Sequence, residues 1–109
     1  MDQTVATGFV RMNPSTAEGG AIAQEFQAKN NFDRTETLGT VLLGMTLTCS
    51  RCHTHKYDPI TQTEYYQLFA YFNNIDEAGL YSYFTSSTPT PTLMLSSLEQ
   101  KKRLAEIEE

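Results

Sequence analysis

The chain has 109 residues, enough for one small domain with a modest core, and its 13 acidic against 8 basic residues leave a net charge of −5 at pH 7. That balance argues against nucleic acid or an anionic membrane surface as a partner, both of which require clustered Lys and Arg. No apolar run approaches the roughly 20 residues of a membrane span.

In chain order, residues 1–31 read as a loop-rich N-terminal segment with Pro14, Ser15, Thr16, Gly19 and Gly20 as turn formers and a short helix at Ala23 to Ala28. Glu18-Gly19-Gly20 lacks the flanking strand and Lys of a phosphate loop and reads as a tight turn. A stronger helix is predicted from Asp33, which caps with Glu36 three residues on. Leu38, Val41, Leu42 and Met45 follow at i, i+3, i+4 and i+7 as an apolar stripe. After Pro59, Thr61 and Glu64 form a second capping-box pattern ahead of Tyr65, Leu68, Phe69 and Phe72, with Asn73-Asn74 as the stop. Residues 75–94 read as irregular, with Gly79, Pro89 and Pro91 around an aromatic knot of Tyr81, Tyr83 and Phe84. A last helix is predicted over 96–109, starting near Ser96 and Glu99 and lacking a Gly or Asn stop. The expected fold is all-α, one small domain over 1–109 with long irregular loops.

Both cysteines and both histidines fall within Cys49 to His55. Cys49-Ser50-Arg51-Cys52-His53 is C-x-x-C-H, the attachment sequence of a c-type haem: two thiols form thioethers to the porphyrin vinyls, and the adjoining His gives an axial nitrogen to iron. One covalent haem c is therefore expected, held by Cys49, Cys52 and His53. A zinc site of Cys49, Cys52, His53 and His55 competes, but four ligands within seven residues strain a tetrahedron. A dithiol redox motif belongs after a strand, and a Cys49–Cys52 disulfide would close a very small loop. His55 is too close along the chain to reach the opposite face of the ring. It reads as a structural hydrogen-bonding residue, as do Lys56, Tyr57 and Asp58. For the sixth iron position Met94 is favoured, because it follows the stiff Pro89-Thr90-Pro91-Thr92 stretch, with Met12 as the alternative.

The order of helix, C-x-x-C-H, aromatic helix, Pro-rich loop with Met94 and terminal helix is similar to that of the class I cytochromes c. The Gly and aromatic positions expected before the first Cys hold Val41 and Met45 instead. "EGGAI", "FDRTETLGTVLLGMTLTCSRCHTHKYDPI" and "EYYQLFAYFNN" resemble more closely the cytochrome-c-like domain of large exported proteins of planctomycetes and related marine bacteria, many of which carry Asp where this chain has Thr54. That resemblance implies haem at Cys49, Cys52 and His53, a periplasmic or otherwise exported location, and a longer parent protein. The start "MDQTV" has no secretory leader pattern, which leads to the expectation of an excised piece. The expected function is electron transfer to a redox partner domain or protein, with no nucleic acid and no membrane insertion. Two other readings stand beside it, a haem sensor or enzyme with an open sixth position and a zinc-stabilised interaction module. With so short a chain, the haem-free form is expected to be largely disordered or molten.

Overall fold

A computed structural model describes residues 2–14, 16, 18–77 and 92–108. Among them there are helices and no strands, as the all-α expectation requires. Helix α1 spans Asp2–Ala6 and runs into a 3-10 turn, Thr7–Arg11. Helix α2 covers Ala23–Leu38 and continues as a π turn, Gly39–Leu43. A second 3-10 turn, Leu47–Arg51, leads to α3, Gln62–Phe72, and α4 covers Leu98–Glu108. None of the described helices is long and apolar enough to cross a membrane. The expected aromatic knot of Tyr81, Tyr83 and Phe84, with Gly79, Pro89 and Pro91, lies outside the described residues.

The sequence divides α2 into a short helix and a second one capped at Asp33; the structure has one uninterrupted helix with Asp33 in its interior. The reason is tertiary. Asn30, Asn31, Arg34 and Thr35 form a buried stripe at helical spacing, but a polar one. Arg34 is 1 % exposed. Its guanidinium forks onto Glu77, Nη1 to Oε1 at 2.6 Å and Nη2 to Oε2 at 2.7 Å. Its Nε donates to the Val10 carbonyl at 2.8 Å, and its Nη atoms also donate to Asn13 Oδ1 and Asn31 Oδ1. One side chain thus ties the N-terminal segment and the stretch after α3 to the middle of α2. Such a pair survives burial because nearly every donor is satisfied.

The predicted apolar stripe fails where the helix widens. Gly44 ends the π turn in the left-handed region, φ 64°, and the Gly44 and Met45 amides both reach the Gly39 carbonyl. The wider winding breaks the 3.6-residue period, so Val41 and Leu42 stand 59 % and 66 % exposed. Gly39 faces inward instead. A Cβ there would fall well inside van der Waals distance of the Leu47 side chain, so glycine allows the close approach of the second 3-10 turn.

The other helices follow their sequence signals. Thr61 and Glu64 form the full capping box, Tyr65 is buried, and Phe69 packs on Phe32 at a ring distance of 4.8 Å. At α4 the reciprocal box is Ser97 with Gln100, one residue beyond the expected pair. The Gly19-Gly20 turn is present, with Gly20 at φ 83°.

Candidate functional site

The cysteines lie on the second 3-10 turn and at its C-terminal edge, where residues three apart eclipse. That period sorts the turn into faces. Leu47 and Ser50 are buried, while Cys49 and Cys52 are exposed free thiols on another side. The Cys52 amide closes the turn on the Cys49 carbonyl.

Arg51, between the cysteines, fixes this turn to both long helices. Its guanidinium stacks on the Phe32 ring, 3.9 Å from the centroid, and lies 3.4 Å from Glu36 Oε1, both on α2. Its carbonyl accepts from Gln62 Nε2 and Tyr66 Oη of α3, each at 3.0 Å. Beneath it, the Tyr65 hydroxyl donates to Glu36 Oε1 at 3.2 Å. Burial, and then the Glu36 charge, hold the Tyr65 hydroxyl far above the usual phenol range, so it stays a donor. Ser50 Oγ, inside the same motif, is the one buried side-chain polar atom without a hydrogen-bond partner among the described residues.

The two histidines adopt opposite tautomers. His53 is exposed, and its Nδ1 lies 2.8 Å from the Thr54 carbonyl, a contact in which Nδ1–H donates, which leaves Nε2 as the ring nitrogen that can bind a ligand. His55 Nδ1 accepts from the Tyr57 and Asp58 amides at 3.2 and 2.7 Å, while its own amide donates to the Ile60 carbonyl. Its proton therefore sits on Nε2, and its free acceptor is already used. His55 staples the 55–60 loop, the structural role read from the sequence. Lys56 stacks over Tyr57. The same assignment weakens the four-ligand zinc set, and among the described residues no three His, Cys, Asp or Glu side chains converge to hold a metal.

Cys49 lies on the turn and Cys52 at its edge, with His53 next along the chain. Met12 and Met94 lie on other segments, 82 % and 69 % exposed. Met12 follows the first 3-10 turn, and Met94 lines a cavity of about 370 Å³ with Leu95, Leu104 and Ile107, whose wall contains no residue of the cysteine turn. Two further cavities, of about 680 and 560 Å³, likewise have no wall residue from Cys49 to His53.

The family model described as PSCyt2, protein of unknown function (DUF1549), matches residues 1–77. The chain belongs to that family. This corrects the resemblance to a planctomycete-type cytochrome-c-like domain: PSCyt2 is not a cytochrome c family, and the C-x-x-C-H turn is not part of a formed haem-binding site among the described residues. The strings that suggested that resemblance all lie inside the stretch the PSCyt2 model matches. Neither the curated proteins nor the solved structures give a match to this PSCyt2 chain.

Sequence reasoning missed Arg34, Glu77 and the double role of Arg51, and gave Glu36 a capping role at Asp33 where it instead meets Tyr65 and Arg51. Gln62 and Tyr66 had a usable signal, since their i, i+4 spacing puts both on one face of a helix already predicted.

Proposed function

We propose that this PSCyt2 chain is an electron-transfer domain carrying one covalently attached haem on the Cys49–His53 turn. The observation that carries this reading is the pairing of two exposed thiols on one face of a 3-10 turn with a neighbouring His53 whose Nδ1 is engaged by the Thr54 carbonyl, so that Nε2 is the nitrogen left to bind a ligand. Cys49 and Cys52 would hold the group through two thioethers, each formed by adding S–H across a vinyl C=C, sulfur to one carbon and hydrogen to the other, so that attachment would consume no oxidant. His53 Nε2 would bind the iron of that group, with the Thr54 carbonyl holding the ring by Nδ1–H, the usual way a ligating imidazole is oriented. The bound group supplies one-electron redox chemistry. Met94 would be the favoured second protein ligand to the iron and Met12 the alternative, each on a segment distant in sequence from the turn. The partner is a redox domain or protein, and the location an exported one, where such attachment takes place.

The test is the full chain matured alongside the haem-attachment machinery. Haem retained through acid–acetone extraction, with a mass increase of one haem, supports the reading. Release of all haem, or stoichiometric zinc in its place, sinks it. A visible spectrum that changes on adding carbon monoxide marks an open sixth position and favours a sensor or enzyme. If a methionine is the sixth ligand, the weak red band of the oxidised form disappears in Met94→Ala and survives in Met12→Ala, or the reverse if Met12 is the ligand.

A further inference from the structure

We propose that Arg51 is a positioning residue that holds the Cys49–His53 turn in its attachment shape before any cofactor arrives; this rests on the haem reading above. Attachment at two thiols and one imidazole succeeds only if all three are presented together, and a five-residue turn on a free loop loses that arrangement to backbone entropy. Something must hold the turn from behind. Leu47 and Ser50 seat its inner face, but neither reaches beyond it through a hydrogen bond. Arg51 does so twice and in two directions, by its side chain to Phe32 and Glu36 on α2 and by its carbonyl to Gln62 and Tyr66 on α3.

These contacts differ in weight. The Glu36 pair is long at 3.4 Å, with both side chains partly exposed, so it adds little alone. The stack on Phe32 and the paired donors on the carbonyl do most of the holding. Because Tyr65 donates to the same Glu36 oxygen that Arg51 approaches, the carboxylate is held in place from the core side. The anchor therefore sits between the two attachment cysteines, and their thiols face solvent from a base fixed at both ends.

Two pairs of measurements test this. Arg51→Met removes the stack and the ion pair, while Gln62→Leu with Tyr66→Phe removes the carbonyl's donors. Arg51→Lys keeps the charge, and Phe72→Leu weakens α3 ten residues beyond Gln62, about 15 Å away along the helix. In the haem-free chain, the Cys49, Cys52 and His53 amides should give one sharp set of resonances in the native protein and Phe72→Leu, a partial broadening in Arg51→Lys, which keeps the charge but loses the guanidinium stack, and broadened or doubled sets in the other two variants. In protein matured with haem, the doubly attached fraction by mass spectrometry should fall about tenfold in Arg51→Met and recover partly in Arg51→Lys. Broad amides in the native haem-free chain, as the molten form expected from the sequence would give, unchanged amides in Arg51→Met, an unchanged doubly attached fraction, or an equal loss in Phe72→Leu would each overturn the inference. If the native chain takes up no haem at all, the haem reading fails, and the amide comparison still decides whether Arg51 holds the turn.

Discussion

Replacing Arg34 with Met removes the charge and keeps much of the volume, which isolates the electrostatic part of the buried tie. The variant leaves the Glu77 carboxylate buried without its fork and the Val10 carbonyl, Asn13 and Asn31 without their donor. Stripping one partner from a buried ion pair costs about 3–5 kcal/mol. A domain of this length is stable by roughly 5–15 kcal/mol. Among the described residues only Leu47 and Tyr65 are fully buried apolar side chains, which places this chain toward the low end. Arg34→Met should therefore remove most of the stability, measured by urea unfolding followed by far-ultraviolet circular dichroism. At roughly 4 °C per kcal/mol, the melting temperature should fall by about 12–20 °C. Arg34→Met with Glu77→Leu should be less damaging than Arg34→Met alone, because the second change removes the stranded carboxylate. A loss below about 1 kcal/mol for the single variant, outside the cost expected for breaking a buried pair, or simple additivity in the double variant, would refute the reasoning.

Gly39→Ala gains up to about 1 kcal/mol of helix propensity but loses about 1–3 kcal/mol to overlap with Leu47, so it should destabilise the native chain and become neutral or stabilising in a Leu47→Ala background. An equal penalty in both backgrounds would argue against the contact. Glu64 has its carboxyl held below the usual range, chiefly by the Thr61 amide and then by the Thr61 hydroxyl. Its capping contribution is thus full above the ordinary carboxylate pKa and lost as pH falls through the depressed folded value, so the α3 N-terminus should fray in acid. In Glu64→Gln the Thr61 amide resonance should lose this titration, and an unchanged titration curve would assign it elsewhere. Ser50→Ala removes a buried hydroxyl without a partner and should be neutral or stabilising by about 1 kcal/mol in thermal melts. A loss of similar size would instead reveal a bridging water.

Local chemistry was legible in the sequence, and long-range polar ties were not. The Thr61–Glu64 box and the Tyr65 to Phe72 stripe were readable because each signal is complete within four to eight residues. The cysteine turn was readable because its spacing is the motif. Arg34 and Glu77 stand 43 positions apart, and nothing near either marks the other. Apolar periodicity also misleads in α2, where the buried stripe is Asn, Arg and Thr and the aliphatic run Val41 to Leu43 faces solvent. A period-based reading assumes that burial means apolar residues and that the helix keeps 3.6 residues per turn. The polar tie breaks the first assumption and the π turn breaks the second.

Helix α2 carries two ties that do different work. Around Asn31, Arg34 and Thr35 it holds the N-terminal segment and Glu77; around Phe32 and Glu36 it holds the cysteine turn and, through Tyr65, α3. Phe32 and Glu36 are four residues apart and share one face, while Arg34 lies between them in sequence and on another. The two ties share the helix backbone but no side-chain partner. Loss of the Arg34 tie should therefore release Val10, Asn13 and Glu77 first, and the turn follows only when α2 itself unwinds. Amide hydrogen exchange on Arg34→Met, at a denaturant concentration below its midpoint, reads this order. The residues around Val10 should lose protection while those of Phe32 to Leu38 keep theirs. Simultaneous loss in both groups would show instead that α2 transmits the damage directly, and that the turn depends for its shape on the buried ion pair as well as on Arg51.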